Sequence, residues 1–282
     1  MVSCEWAGWE SAFCAARWQC FPDGSNSRLF LQQRDKGSES GMNIHIGERL
    51  GKVYDLFFLG PKYVKFALLN DIRYQNWRHC SEIYRKPDMY LIDGFIPKPD
   101  EVIYDVGSSY GDWAILWAKK YGAFVYAFEP LQRNLEIIHK NIIINNVQDR
   151  INIMDSLVGD GSLLSFKEGG DMITWSNNSL VHRYSDRLDD IFNLGWLGRN
   201  PDILKIDVEG FEHNVLLGAE LLVMKFHPKI IIETHSSILR KQCTELLQNL
   251  GYTLKHAGRT VKGEDWMDEV TNLFFAVDGD VN

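Results

Sequence analysis

The sequence predicts an α/β protein with a doubly wound, mostly parallel β-sheet that follows an N-terminal segment of different character. Three observations support this fold class. Several short segments are apolar on both faces, such as ILKI (203–206) and IIIE (230–233), which is typical of a parallel sheet covered by helices. After residue 100, seven such segments alternate with helical patterns. The first strand runs into a glycine-rich turn, GSSYG (107–111), that opens a helix.

The predicted elements follow in order along this domain. Strands are predicted over residues 102–106, 124–128, 151–158, 203–208, 229–234, 252–256 and 272–277. Helices are predicted over residues 112–121, 131–144, 188–194, 211–224 and 237–250. Seven strands in this rhythm predict one domain over residues 99–282. Before it we expect an irregular extension over 1–41 and a mainly helical cap or flank over 42–98.

Charge, apolar runs and cysteine spacing argue against several classes of function. The 282 residues carry a net charge of −8, and no block of Lys and Arg predicts broad nucleic-acid binding. No apolar run is long enough to span a membrane, and the N-terminus lacks a signal-peptide pattern. The five cysteines show no C-x-x-C spacing, so no zinc knuckle is indicated. We therefore expect a cytoplasmic protein.

The glycine turn and two acids at strand ends predict a site for S-adenosylmethionine. Asp105 ends the first strand, where its carboxylate suits the ammonium group of the cofactor. Gly107 and Gly111 let the backbone approach a ligand closely. Loop NH groups around Ser109 and Tyr110 would face the cofactor carboxylate. After the second strand, Glu129 is placed to accept both ribose hydroxyls, and Pro130 begins the next helix.

Two other interpretations of the same turn compete with this one. A dinucleotide site would need G-x-G-x-x-G, but Asp105 occupies the first glycine position and would repel a pyrophosphate. The turn also satisfies G-x-S-x-G, with Ser109 as the nucleophile of an α/β-hydrolase and with Asp207 and His235 in the expected chain order. A hydrolase elbow normally follows several strands, however, and this one follows none that is convincing.

A second group of polar residues predicts the acceptor site. Asp207 and Glu209 follow the buried strand ILKI, and Glu233 and His235 end the next one. Because ligands bind beyond the carboxyl ends of parallel strands, these four residues are expected on the same rim as Asp105 and Glu129. Each also has a purely structural explanation, such as helix capping for Asp207.

The segments DVGSSYG (105–111), AFEP (127–130), LDDI (188–191), LKIDVEGFE (204–212) and IIIETH (230–235) resemble the FkbM-family methyltransferases. The resemblance implies the Rossmann-like class I methyltransferase fold, in which the last strand of the seven is antiparallel. It implies methyl transfer from S-adenosylmethionine, commonly to a hydroxyl oxygen of a sugar or natural product. Ser156 and Leu157 would then lie near the adenine. In this sequence, Ser108 and Ser109 replace the usual Ala-Asn of the loop.

The expected chemistry needs a group that accepts the hydroxyl proton. His235 is one candidate base, because its unperturbed pKa lies near neutrality, and Asp207 or Glu209 is the alternative. The ligand types for a divalent metal, which we do not favour from sequence, are present in Asp207, Glu209, Glu233 and His235. The expected partner is a small-molecule or glycan acceptor. The alternative from a different class of function is a non-catalytic module that retains the fold and binds S-adenosylmethionine. We expect Glu212 to face solvent.

Overall fold

The computed structural model describes residues 14–19, 28–33, 41–49, 52–59, 64–69, 72–74, 83, 89–169, 172–175, 181–262 and 269–279. The chain divides into two compact units, Met1–Cys80 and Ser81–Asn282. Within these described ranges, no helix combines the length and apolar character needed to cross a membrane.

The N-terminal unit contains a six-stranded sheet. Its strands are β1 (Cys14–Gln19), β2 (Arg28–Gln33), β3 (Gly41–Arg49), β4 (Lys52–Leu59), β5 (Val64–Leu69) and β6 (Ile72–Arg73). They lie in the order β2-β1-β3-β4-β5-β6. Strands β1 and β3 pair in parallel, and the other neighbours pair antiparallel.

These strands differ from the elements that we predicted. The described parts of residues 14–33 form a hairpin where an irregular extension was expected. Residues 41–73 contribute four strands where a mainly helical segment was expected. The runs KVYDLFFL and VKFALL are rich in aromatic and β-branched residues, which favour strands. Such short apolar runs also fit helical spacing, so periodicity alone did not decide between the two.

The second unit is built on one large sheet and a small one. Its strands are β7 (Val102–Val106), β8 (Phe124–Glu129), β9 (Ile151–Asp155), β10 (Leu163–Gly169), β11 (Met172–Trp175), β12 (Val181–Tyr184), β13 (Ile203–Ile206), β14 (Lys229–Thr234), β15 (Thr253–Ala257), β16 (Val261–Lys262) and β17 (Glu269–Ala276). The large sheet has the order β15-β17-β14-β13-β7-β8-β9, and β16 pairs with β17. Strands β10, β11 and β12 form an antiparallel sheet that the sequence analysis did not predict.

The large sheet confirms the predicted fold class. Strands β14, β13, β7, β8 and β9 are parallel, whereas β17 is antiparallel to both of its neighbours. From β7 the chain adds β8 and β9 on one side, and it then returns to add β13 and β14 on the other side of β7. Every residue of β7 and β13 is buried, as expected for strands covered on both faces.

The helices connect these strands and largely follow the predicted positions. They are α1 (Asp112–Leu116), α2 (Gln132–Asn145), α3 (Leu188–Asn193), α4 (Glu212–Leu217), α5 (Glu220–Phe226) and α6 (Ser237–Asn249). Helix α1 continues as a π-helical turn over Trp117–Tyr121. The single helix predicted over 211–224 is instead two helices. They meet at Gly218, where an added Cβ would lie only 1.8 Å from the carbonyl oxygen of Gly159.

Candidate active site

The glycine loop after β7 is held in a conformation that needs glycine. Gly107 has φ +80° and Gly111 has φ +72°, and Ser109 between them also lies in the left-handed region at +50°. The NH groups of Gly107 and Ser108 both donate to the carbonyl oxygen of Phe128 at 3.0 Å. A Cβ at Gly107 would lie 1.8 Å from the carbonyl oxygen of Asp207. The loop therefore packs directly against the turn that follows β13.

Glu129 ends β8 and lies beside this loop, as predicted. Its side chain accepts hydrogen bonds from the NH of Ser109 at 2.9 Å, from the NH of Leu131 at 3.0 Å and from the Asn134 amide at 3.2 Å. Burial raises the pKa of Glu129 to about 7, although these hydrogen bonds oppose the rise. Oε1 accepts two of these bonds and Oε2 only one, so Oε2 keeps lone-pair capacity for a ligand.

Asp105 is placed differently from the prediction. Its carboxylate lies 2.9 Å from the Lys205 ammonium, and both side chains are almost fully buried. Lys205 also donates to the carbonyl oxygen of Gly107 at 2.8 Å. Burial opposes the charge on Lys205, but the neighbouring carboxylates raise its pKa above the usual value. Asp105 thus supports the loop from beneath through Lys205, rather than lining the cleft above it.

A cleft opens over the carboxyl ends of β7, β8 and β13. Its cavity volume is about 170 Å³, and its mouth is open to solvent. It brings together most of the predicted residues, namely Gly107, Ser109, Glu129, Pro130, Ser156, Leu157, Asp207, Glu209 and Glu233. Asp105, Tyr110, Gly111 and His235 are not part of its lining. The predicted donor and acceptor residues therefore share one cleft.

Ser156 and Leu157 follow β9 and form one wall of this cleft. Both side chains are buried. The Ser156 hydroxyl donates to the Asp186 carboxylate at 2.9 Å. Strand β9 ends at Asp155 rather than at Val158 as predicted, and the early end turns Ser156 and Leu157 toward the cleft.

The turn after β13 presents two of the predicted acceptor acids. Strand β13 ends at Ile206 instead of Val208, because the chain turns through positive φ at Glu209 (+53°) and Gly210 (+102°). This turn places Asp207 and Glu209 on the cleft wall. Left-handed backbone at a non-glycine residue such as Glu209 is uncommon and costs free energy.

His235 lies at the centre of four carboxylates. Its Nδ1 is 2.8 Å from Glu212, and its Nε2 is 3.4 Å from Glu209, 3.7 Å from Asp207 and 3.9 Å from Glu233. Burial favours the neutral ring, but the hydrogen bond to Glu212 and the surrounding charges outweigh it. They raise the pKa of His235 to about 10. In this arrangement His235 is a cation at neutral pH.

Three of these side chains also meet the geometric requirement for a cation site. Asp207, Glu233 and His235 each present one ligand atom, and the three atoms lie within 4.8 Å of one another. Carboxylate oxygens are ligands of several divalent metals, and the imidazole nitrogen of His235 would become one on losing its proton. These residues are the ones that would hold such an ion.

Several residues of this site were not predicted from the sequence. Glu212 is fully buried and pairs with His235 instead of facing solvent, because helix α4 begins at Glu212 and directs its first turn toward β14. Lys205 went unnoticed inside an apolar strand. Tyr90 donates its hydroxyl toward Asp207 at 2.9 Å and toward Glu233 at 3.1 Å. Only the strand pairing between β7 and β13 could have linked Lys205 to Asp105.

The hydrolase interpretation lacks the expected framework. In the described part of the second unit, β7 is the first strand of the large sheet, so the turn follows only this one strand, whereas a hydrolase elbow follows several. The backbone NH of Ser109 is committed to Glu129. The described partners of His235 are carboxylates.

Comparisons with known proteins identify the family of this chain. The family described as the methyltransferase FkbM domain matches residues 105–260, which is more than half of the chain. Among curated proteins, none matches. The crystal structure of methyltransferase FkbM from Methylobacillus flagellatus KT is 21% identical, with a TM-score of 0.44. That alignment covers 62% of this chain and 43% of the other, so the chain spans less than half the length of that protein.

Two further solved structures are similar at lower identity. Precorrin-6y C5,15-methyltransferase from Geobacter metallireducens GS-15 is 13% identical with a TM-score of 0.45, covering 66% of this chain and 84% of its own. TrmK from M. capricolum, in complex with S-adenosyl-homocysteine, is 14% identical with a TM-score of 0.43, covering 69% and 68%. Since these TM-scores are below 0.5, the fold assignment rests on the strand order of the large sheet.

Proposed function

Because this chain belongs to the FkbM methyltransferase family, we propose that it transfers a methyl group from S-adenosylmethionine to a hydroxyl oxygen of a sugar, glycan or natural product. One observation carries the proposal. Glu129, the acid expected to bind the ribose, lines the same cleft as the three acids Asp207, Glu209 and Glu233. Donor and acceptor would therefore lie side by side over the carboxyl ends of the strands, where ligands bind in open α/β sheets.

The donor half of the cleft suits an adenosine group. Glu129 would accept the ribose hydroxyls, and the wall formed by Ser156 and Leu157 would lie against the adenine. The loop at Gly107 would receive the amino acid part of the cofactor, and glycine holds this loop against the Asp207 carbonyl oxygen, where a Cβ has no room. In this proposal Asp105 acts through Lys205 on the loop rather than by direct contact with the cofactor ammonium.

The acceptor half supplies a base and a fixed geometry. The acceptor oxygen would attack the methyl carbon in line with the breaking carbon–sulfur bond, and S-adenosylhomocysteine would leave as a neutral thioether. The hydroxyl proton passes to a carboxylate, Asp207 or Glu209. His235 is a poor base in this arrangement, because a pKa of about 10 keeps it protonated at neutral pH. Its positive charge instead stabilises the surrounding acids.

Calorimetry and product analysis test this proposal in two steps. The wild-type protein should bind S-adenosylmethionine, and Glu129→Ala should weaken that binding. Incubation with a panel of hydroxyl-bearing sugars and natural products should then yield S-adenosylhomocysteine and a product heavier by one methylene unit. Absence of binding by the wild-type protein would refute the donor assignment. Binding without product from any acceptor would support the non-catalytic module, and labelling of Ser109 by a fluorophosphonate would support the hydrolase.

A further inference from the structure

One tyrosine hydroxyl bridges two acids of the acceptor site. The oxygen of Tyr90 lies 2.9 Å from Oδ2 of Asp207 and 3.1 Å from Oε2 of Glu233. These acids come from two neighbouring parallel strands, since Asp207 follows β13 and Glu233 lies on β14. A phenol carries a single hydrogen, so the two carboxylates share one donor. The hydroxyl therefore links the two carboxyl groups and fixes the distance between them.

The ring of Tyr90 is fixed from the donor side of the cleft. Tyr90 is fully buried, and its ring centroid lies 4.8 Å from that of Trp113 and 6.3 Å from that of Trp117. Both tryptophans belong to the helical segment that begins directly after the glycine loop. The Lys205 ammonium, which supports that loop, lies 5.7 Å from the Tyr90 ring centroid. The position of the hydroxyl thus depends on the elements that form the donor site.

We propose that Tyr90 is a positioning residue of the acceptor site, supplied from outside the matched range of residues 105–260. It acts through Asp207 and Glu233, which it orients for the incoming hydroxyl group. Without the bridge, the two carboxylates would lose the hydrogen bond that the hydroxyl donates to them, and they would repel each other. This proposal rests on the proposed methyl transfer for its effect on turnover, but its structural claim does not.

The test compares Tyr90→Phe with a matched control, Tyr104→Phe. Both residues are buried tyrosines, but the Tyr104 hydroxyl donates to the Arg199 carbonyl oxygen at 2.6 Å, whereas the Tyr90 hydroxyl contacts Asp207 and Glu233. Tyr90→Phe should leave the dissociation constant for S-adenosylmethionine unchanged. It should lower kcat/KM for an acceptor that the wild-type protein methylates by about 10- to 100-fold. Tyr104→Phe should leave both quantities near the wild-type values.

Crystal structures of the wild-type protein and Tyr90→Phe complete the test. In Tyr90→Phe, we expect Asp207 or Glu233 to adopt a different rotamer with the two carboxylates farther apart. Unmoved carboxylates would overturn the proposal, as would equal losses of kcat/KM in the two variants. If the wild-type protein fails to bind S-adenosylmethionine, the proposed function fails, while the same pair of structures still decides the role of Tyr90.

Discussion

Replacing Gly107 by alanine tests how the donor loop and the acceptor turn are joined. The Cβ of alanine would lie 1.8 Å from the carbonyl oxygen of Asp207, 2.8 Å from its carbonyl carbon and 3.2 Å from Val208. Two of these atoms belong to the backbone, so no rotamer change relieves the contact. The turn after β13 must move away from the loop, or the loop must move away from the turn.

The cost can be divided into two parts with a matched control. The first part is the left-handed conformation at φ +80°, which costs a residue with a Cβ about 1–2 kcal/mol. Gly195→Ala isolates this part, because Gly195 has φ +73° and no atom within 4 Å of an added Cβ. The second part is overpacking, about 1–3 kcal/mol. Gly107→Ala should therefore lower the free energy of unfolding by about 1–3 kcal/mol more than Gly195→Ala does.

Urea unfolding measures this difference, and calorimetry follows its effect on the site. At about 2–4 °C per kcal/mol, the melting temperature of Gly107→Ala should fall below that of Gly195→Ala by about 2–12 °C. Binding of S-adenosylmethionine should be weakened in Gly107→Ala and retained in Gly195→Ala. Equal stability of the two variants would refute the close approach of the loop and the turn.

Three further predictions concern charged groups of the site. Because burial raises the pKa of Glu129 to about 7 in the folded protein, the folded state retains a proton that the unfolded chain loses near pH 4.5. The stability of the wild-type protein should fall by about 3 kcal/mol as the pH rises from 4.5 to 7, and urea unfolding of Glu129→Gln should lose this dependence. Because its pKa is raised to about 10, His235 should show no titration by NMR between pH 6 and 8, and a titration midpoint near pH 6.5 would contradict the carboxylate arrangement. The stability that protonated His235 contributes should be complete below pH 6.5 and should be lost as the pH rises through 10. Asp207→Asn should abolish methyl transfer with little effect on the calorimetric affinity for S-adenosylmethionine, and full turnover in this variant would remove Asp207 as a base.

Patterns along the chain predicted the large sheet because its strands are buried on both faces. Strands β7 and β14 have the predicted ends, since their apolar runs stop at polar or glycine residues that the sequence shows directly. The ends of β9 and β13 were predicted too far along the chain. Val158 and Val208 are apolar, but both lie beyond the ends of these strands and line the cleft. An apolar residue that faces a ligand site is indistinguishable, in sequence, from one that continues a strand.

The missed site residues depend on contacts between distant segments. Lys205 is 100 residues from its partner Asp105, and only the register of β7 against β13 places them opposite each other. Tyr90 reaches Asp207 and Glu233 across an even larger separation in sequence. Local patterns identify which residues end a strand, but they do not identify which distant side chain will stabilise them.

The donor and acceptor halves of this site form one connected structure. Lys205 binds the carbonyl oxygen of Gly107 and the carboxylate of Asp105, and its ammonium lies 3.9 Å from Asp207. Tyr90 makes the second connection, from the helical segment after the loop to the acceptor acids. Since methyl transfer requires the acceptor oxygen to lie in line with the sulfonium methyl, both connections fix the geometry on which the reaction rate depends. A substitution on either side of the cleft is therefore expected to affect the other, and effects at neighbouring sites of this network should not be additive.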